Sequence, residues 1–282
     1  MINFRNTINK GSEILKKNFI ETANIDAELL LSFSIKQSRE KILLNLEKKL
    51  DYYDVRKYFE LIERRKKKEP ISQIIGKKTF WKYDFYVNKD VLTPRKETEF
   101  LIEEILKLYK NYNKIRVLDI GTGSGCIIIS LMKEKIRWSG IAVDISELAI
   151  KVAKYNAKIQ QVENRIKFIK SDIDKFSSNK YDLIVSNPPY INKIRYNNLD
   201  LGVKDYEPKK ALYGGVDGLR VIEKVVKKSS ILLKNNGFLI MEIGLMQYNK
   251  TFKILKENGF YVKKIVKDYQ RINRCVLSQK IK

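Results

Sequence analysis

The residues best suited to chemistry are Asn187-Pro188-Pro189-Tyr190, which follow the apolar run Tyr181-Asp182-Leu183-Ile184-Val185-Ser186. Two consecutive prolines stiffen the backbone and remove two N–H donors. What remains is a rigid edge of carbonyl acceptors beside an asparagine side chain and an aromatic ring. That set suits a planar NH2 group. The Asn187 side-chain oxygen and the Pro188 carbonyl each accept one N–H, and the Tyr190 ring stacks on the flat face. An amide or aniline-like nitrogen is a poor nucleophile, because its lone pair is delocalised. Two fixed acceptors aim it and stabilise the positive charge that builds as it attacks an electrophile. No strong base is needed before the new bond forms, which matters because the chain contains no histidine. An ordinary Asn/Pro turn has the same composition, but its position at the end of a strand favours a site.

A second constellation lies upstream. Val117-Leu118-Asp119-Ile120-Gly121-Thr122-Gly123-Ser124-Gly125 reads as a strand, a glycine-rich turn and the start of a helix. Glycines there let the backbone take positive φ and approach a ligand closely, and ligands of such sheets sit at the carboxyl ends of the strands. The spacing is G-x-G-x-G rather than the G-x-G-x-x-G of dinucleotide loops. That favours an adenosyl ligand without a pyrophosphate. The next strand ends in Asp144, which can accept from both hydroxyls of a ribose. Ser171-Asp172-Ile173 closes a third strand, where an adenine edge would lie. Asp172 would accept from its exocyclic amine and Ile173 would pack on the ring. A dinucleotide enzyme is the rival reading of the loop, and a solvated loop aspartate that of Asp172.

Composition narrows the chemistry further. The absence of histidine removes the commonest general base and the commonest zinc ligand. Cys126 and Cys275 form no close-spaced pair, so neither a disulfide framework nor a thiolate metal site is expected. The 282 residues carry 57 Lys+Arg against 33 Asp+Glu, a formal net charge of +24. A nucleic-acid or ribosomal partner would benefit from that field. The lysines are nevertheless spread along the chain, with one tight run at Arg64-Arg65-Lys66-Lys67-Lys68, and read more simply as compositional drift on a solvated surface. The N-terminus lacks a signal peptide's apolar core, and no apolar run approaches the ~18 residues of a membrane span. The expectation is a soluble cytoplasmic protein, monomeric by default.

The elements that must position these residues follow from periodicity. Apolar residues recur at helical spacing at Ile14, Leu15 and Phe19, at Leu29, Leu30 and Phe33, at Ile42, Leu43 and Leu46, and at Tyr58, Leu61 and Ile62. Residues 1–70 therefore read as a helical domain, with Ser38 as an N-cap. Residues 71–95 read as a hairpin or extended linker with a turn near Gly76-Lys77-Lys78. Thr93-Pro94 is expected to open a helix running to about Tyr109. Over residues 96–282 strands alternate with helices. That implies an α/β domain with a mostly parallel twisted sheet and helices on both faces.

Several segments together resemble one family. They are Glu69-Pro70-Ile71-Ser72-Gln73-Ile74-Ile75-Gly76, the Phe80-Trp81 to Phe85-Tyr86-Val87 segment, Leu92-Thr93-Pro94-Arg95-Lys96-Glu97-Thr98-Glu99, the Asp119 to Gly125 loop, and Ser186 to Tyr190. Tyr206-Glu207-Pro208, Ala211-Leu212, Gly214-Gly215 and Asp217-Gly218-Leu219 complete the set. The chain thus resembles class I methyltransferases of planar nitrogens, and most closely the HemK/PrmC family of release factor N5-glutamine methyltransferases. The resemblance implies S-adenosylmethionine as cofactor, contacted by Gly121, Thr122, Gly123, Ser124, Gly125, Asp144, Ile173 and Asn187; Asp119 and Asp172 join that site on the residue reading alone. It implies that Asn187, Pro188, Pro189 and Tyr190 hold the glutamine of a Gly-Gly-Gln loop, that the N-terminal domain docks the release factor, and that no metal is used. Arg95 and Glu97 would brace either the tetrad or the incoming loop, or simply sit at a helix N-terminus. Phe80, Trp81 and Phe85 would either wall a glutamine pocket or pack in a core. Two departures stand out: Lys96 occupies a position usually held by Pro or another small residue, and Asp268 to Arg274 lacks the usual glycine. Two other readings stay open: a ribosomal-protein glutamine methyltransferase, and a nucleic-acid adenine or cytosine N-methyltransferase.

Overall fold

In the computed structural model, which describes residues 2–281, one unit runs to Gly76 and also takes in Asp200–Tyr206. Its helices are α1 (Phe4–Lys17), α2 (Ala23–Ser34), α3 (Arg39–Leu43), α4 (Tyr52–Lys66) and α5 (Ile71–Ile75). The side chains of Asn3, Ser38 and Asp51 cap α1, α3 and α4 by accepting a backbone N–H of the first turn. Phe4, Leu15, Leu30, Leu31, Ile42, Tyr58 and Ile62 form the buried core. A buried ion pair, Arg65 to Asp26 at 2.7 Å, ties α4 to α2.

At Gly11, α1 packs closely against Tyr58 and Ile62 of α4. A Cβ at that position would lie 1.9 Å from the hydroxyl of the fully buried Tyr58. Gly11→Ala gains about 1 kcal/mol of helix propensity but forces α1 and α4 apart, an overpacking cost of about 1–3 kcal/mol. The clash should win, and denaturant unfolding of the variant should show a lower midpoint.

Two local expectations fail in this unit. Phe19 lies beyond the end of α1, exposed and with φ 56°. Ile71–Ile75 is a helix, not an extended segment. Pro70 precedes it with φ −60°, Gly76 ends it in the left-handed region, and Ile74 is buried in the helical core. Burial there outweighs the strand propensity of three isoleucines. A further helix, α10 (Leu201–Lys204), has no counterpart in the periodicity. Its segment belongs to this unit: Gln73 Nε2 donates to the Tyr206 carbonyl at 2.9 Å, and the Tyr206 hydroxyl donates to the Lys67 carbonyl at 3.0 Å.

The other unit comprises Lys77–Leu199 and the chain from Glu207 onward. It opens with the hairpin β1 (Lys77–Phe80) and β2 (Tyr83–Tyr86), turning at Trp81 (φ 56°) rather than near Gly76. One 3-10 turn, Lys96–Thr98, leads into α6 (Glu99–Leu108), so the helix starts later than Thr93-Pro94 suggests. Thr93 is no cap, and its N–H points to Glu207 Oε1 at 3.4 Å. Alternation follows as expected: β3 (Arg116–Ile120), α7 (Cys126–Glu134), β4 (Ser139–Asp144), α8 (Glu147–Ile159), β5 (Ile166–Lys170) and β6 (Tyr181–Ser186). Then come the short elements β7 (Ile191–Asn192), α9 (Lys193–Asn197), α11 (Lys209–Leu212) and β8 (Tyr213–Gly215). The chain ends with α12 (Arg220–Leu232), β9 (Leu233–Glu242), α13 (Tyr248–Glu257), β10 (Phe260–Lys267) and β11 (Asn273–Lys280).

The main sheet has the order β10-β11-β9-β6-β3-β4-β5. The pairings from β9 through β5 are parallel, and those of β11 with β9 and with β10 are antiparallel. Successive residues of each strand serve opposite faces. Val117, Leu183, Val185 and Ile240 pack with α6 and α7, while Leu118, Ile184, Leu239 and Met241 pack with α12 and Leu255 of α13. This is the doubly covered α/β sheet expected from the alternation. Among the described residues no helix is long and apolar enough to cross a membrane.

Candidate active site

Parallel registry brings the carboxyl ends of three strands to one edge. Ile120 of β3 pairs with Val143 of β4 and with Ser186 of β6. The loops after these strands therefore emerge side by side, which is where α/β sheets bind ligands. The Ser186 hydroxyl donates to the Ile120 carbonyl at 2.7 Å and pins the junction.

The glycine loop uses its three glycines differently. All three have positive φ: 74° at Gly121, 55° at Gly123 and 80° at Gly125. At Gly125 a Cβ would meet Ile129 Cδ1 at 2.7 Å, so that glycine serves close packing. At Gly121 and Gly123 a Cβ would find open space, so those glycines serve backbone conformation and leave room beside the loop. Asp119 is fully buried beneath the loop. Its Oδ2 accepts from the Thr122 hydroxyl at 2.7 Å, while its Oδ1 is buried with no hydrogen-bond partner among the described residues. Burial pushes its carboxyl up to about 7, with the Asp144 charge adding to the effect.

Asp144 braces the loop as well as facing it. Its Oδ2 accepts from Gly123 N at 2.9 Å and its Oδ1 from Ser146 N at 2.8 Å. Burial raises its pKa, against the pull of those backbone donors. A carboxylate has about four acceptor positions, so two remain for a ligand. Ser124 is fixed from behind: its carbonyl accepts from Asn156 Nδ2 at 2.9 Å, and the same amide bonds both backbone groups of Tyr86. Asp172 and Ile173 also make local contacts. Asp172 Oδ1 accepts from Asp174 N at 3.0 Å, forming the turn after β5. Ile173 is buried with Leu118 and Ile120 in the core of one sheet face.

The tetrad after β6 is held by residues that spacing does not reveal. Asn187 Nδ2 donates to the Thr98 hydroxyl at 3.0 Å, and that hydroxyl meets Glu242 Oε2 at 2.6 Å. The Tyr190 phenol donates to the other oxygen, Glu242 Oε1, at 2.9 Å. Glu242, at the end of β9, is 1% exposed. Burial pushes the Tyr190 phenol far up, and the charge of Glu242 adds to it, so the hydroxyl stays a donor. With its nitrogen engaged by Thr98, Asn187 turns its oxygen to the other side of the amide.

The tetrad backbone is clamped from below. Gln247 Nε2 donates to the carbonyls of Tyr190 at 2.9 Å and Gly218 at 3.2 Å, while its Oε1 accepts from Gly244 N at 2.8 Å. Gly214 and Gly218 pack so closely that a Cβ would lie 2.6 Å from the Pro189 carbonyl and 2.4 Å from the Tyr190 carbonyl respectively.

Arg95 braces neither the tetrad nor an open surface. Its guanidinium pairs with the buried Glu207 at 2.5 Å, while Glu97 is exposed; the bracing residue is Thr98, one position further on. Phe80 and Phe85 are core residues with ring centroids 6.1 Å apart, and the Trp81 indole donates to Glu134, so these aromatics pack and do not wall a pocket. Where Asp268 to Arg274 lacks a glycine, Arg271 takes the left-handed conformation (φ 62°). Asp268 supports that turn by accepting from Gln270 N, Ile272 N and Arg274 Nε. Of the missed residues, only Glu242 leaves a mark in the sequence, as the one acid in the apolar run from Phe238 to Ile243.

Residues 6–76 match the PrmC N-terminal domain, and residues 95–200 match the methyltransferase small domain. The chain is 38% identical over 275 residues to the release factor glutamine methyltransferase of Fusobacterium nucleatum subsp. nucleatum, covering 96% of this chain and 77% of that one. It is 37% identical to the protein of that name from Clostridium acetobutylicum, covering 95% of both. It spans only 56% of the length of a bifunctional methyltransferase from Rickettsia typhi, at 36% identity. Among solved structures, the hMettl16 catalytic domain in complex with MAT2A 3'UTR hairpin 1 shares the fold, with a TM-score of 0.53 at 18% identity over 69% of this chain and 72% of that one. Two relatives of one name, 38% and 37% identical and matched over 96% and 95% of this chain, make the chain a member of the HemK/PrmC family of release factor glutamine methyltransferases.

Proposed function

We propose that this chain transfers a methyl group from S-adenosylmethionine to the side-chain amide nitrogen of the glutamine in the Gly-Gly-Gln loop of a peptide-chain release factor, in the cytoplasm. The observation that carries the reading is the fixed Asn187 amide. Thr98 holds its nitrogen, which leaves Oδ1 free to act as an acceptor. The relatives' names supply the substrate class.

The residues around the glycine loop fit the cofactor. Asp119 Oδ1, buried and unpartnered, would hold the ligand's ammonium. Asp144 would take the ribose hydroxyls, and Asp172 and Ile173 the adenine. The cofactor supplies an electrophilic methyl group on a sulfonium. Asn187 and Pro188 accept the two N–H groups of the glutamine amide and favour positive charge on its nitrogen as the new bond forms. Tyr190 gives the flat amide a ring to lie on, held by Gln247 and Glu242. No side chain has to take a proton before the methyl group moves; the cationic methylated amide is strongly acidic and gives up one N–H proton to water afterwards, leaving the neutral N-methyl amide. The helical unit is the surface that docks the release factor.

A pH dependence follows from Asp119. Its pKa stands at about 7 without a ligand, because burial penalises the anion. A bound ammonium favours the anion, so binding releases a proton wherever Asp119 begins protonated. Cofactor affinity should therefore fall below pH 7, by up to about tenfold per unit, and level off above it until the ligand's own α-amino group begins to lose its proton near about pH 8. Calorimetric titration across that range checks this, and Asp119→Asn should flatten the profile. An affinity that is level through neutrality in the native chain would contradict the role given to Asp119.

The function is tested by methyl transfer from labelled S-adenosylmethionine to a purified class-1 release factor, beside the same factor with its loop glutamine changed to alanine. Label on the native factor alone supports the reading. Label on neither factor, with label on ribosomal protein or nucleic acid, overturns it.

A further inference from the structure

The chain Glu242–Thr98–Asn187 joins three elements that are distant in sequence: the end of β9, the 3-10 turn before α6, and the tetrad after β6. Neither Glu242 nor Thr98 belongs to the tetrad. Both are buried, at 1% and 2% exposure. Burying a carboxyl group is costly unless it is hydrogen-bonded, and here each oxygen meets one hydroxyl, from Thr98 and from Tyr190. A carboxylate that accepts two hydroxyls has no proton to give. The Thr98 hydroxyl therefore spends its single proton on Glu242 and offers its lone pairs to Asn187 Nδ2.

We propose that Glu242 and Thr98 are positioning residues that act on the substrate through Asn187: the relay locks the Asn187 amide with its oxygen outward and polarises that oxygen as an acceptor. This rests on the reading of Asn187 as the group that holds the substrate amide. Hydrogen bonds in series strengthen one another. Negative charge on Glu242 draws the Thr98 proton, which makes the threonine oxygen a better acceptor for the Asn187 N–H. That in turn shifts electron density within the Asn187 amide toward Oδ1, the atom that meets the substrate N–H. The effect grows as the substrate nitrogen gains positive charge, so it belongs to the transition state more than to the ground state. The relay also fixes the amide's orientation. If the amide flipped, its oxygen would face a hydroxyl that has already spent its proton.

The two arms of Glu242 have different tasks. The Tyr190 arm holds the ring, and the Thr98 arm sets the acceptor. Burial raises the pKa of Glu242, and the hydroxyls of Thr98 and Tyr190 pull it back toward the anion; of the charged groups around it, Arg274 on β11 also favours the anion and Glu97 opposes it. Arg274 is itself oriented by Asp268. This gives the turn after β10 an indirect part in holding the relay's charge.

The test is a double-mutant cycle on full-length protein, with methyl transfer to the release factor as readout and calorimetric cofactor binding as a check on folding. Thr98→Val removes the hydroxyl at nearly constant shape, Thr98→Ser keeps it, and Glu242→Gln keeps the shape while removing the charge. T98V should lower kcat by roughly 10- to 100-fold, the loss expected for one charge-assisted hydrogen bond, with KM for the release factor and cofactor affinity close to wild type; E242Q, which also loosens the Tyr190 arm, should lower kcat by at least as much. T98S should recover kcat to within about threefold. The double variant T98V/E242Q should be little worse than the poorer single variant, because both cut the same chain. Wild-type kcat in T98V, or losses that multiply in the double variant, would overturn the relay. Failure of the wild-type protein itself to label the release factor would instead overturn the proposed function, so the two failures are distinguishable.

Discussion

Asn187→Ala is expected to lower kcat for release factor methylation by about 10²–10³-fold, the usual loss when one fixed polar group at a reacting centre is removed. The side chain does two things that alanine cannot. It presents an acceptor to the substrate amide, and it fills the donor slot at Thr98. Cofactor affinity should change by less than about threefold, because the loop around Asp119 and Asp144 is bonded independently of the tetrad. Single-turnover kinetics with calorimetric cofactor titration separates the two effects. Loss of cofactor binding with an unchanged rate at saturation would reassign Asn187 from substrate to cofactor.

Gly218→Ala should be the most damaging change that removes no polar side chain. Two costs combine. The residue has φ 81°, where a side chain costs roughly 1–2 kcal/mol. Its Cβ would also lie 2.4 Å from the Tyr190 carbonyl and 2.5 Å from Gln247 Nε2. Both atoms belong to the clamp beneath the tetrad, so the Tyr190 backbone must move. A shift of about 1 Å at a positioned group costs on the order of 10²-fold in rate. Gly259→Ala is the matching control. Its φ is 78°, nearly the same, but a Cβ there meets nothing within 4 Å. It should carry the conformational cost alone, seen as a lower unfolding midpoint with activity intact. Equal activity in the two variants would mean that the close approach at Gly218 does not hold the tetrad in place.

These expectations separate what local pattern reveals from what it hides. The sheet was legible because each strand reports its own burial by alternation, as at Val117 and Leu118, which serve opposite faces. The glycine loop and the tetrad were legible because glycine and proline mark backbone geometry within a few residues. The partners of the tetrad were not. Thr98 and Glu242 are 144 positions apart and meet only once the sheet has formed. Gln247 and Glu207 bond across gaps of the same kind. Arg95 and Glu97 drew notice as charges near a helix start, yet the neighbouring threonine makes the contact, since a small hydroxyl suits a buried slot better than a charge does. The segment 71–75 misled because isoleucine suits both strand and helix, and only tertiary burial chose between them.

The seven residues Asp200–Tyr206 belong with helices made near the N-terminus, although they are encoded within the sheet-forming part of the chain. Gln73 waits 133 positions for its acceptor at Tyr206. During synthesis on the ribosome the helical unit is translated first, yet it cannot complete its contacts until β3 to β6 have already left the exit tunnel. Its final closure is therefore late and long-range, the slow kind of step in folding. A nascent chain stalled before residue 200 would expose an unfinished helical surface, and a fragment cut at Gly76 would keep that defect permanently.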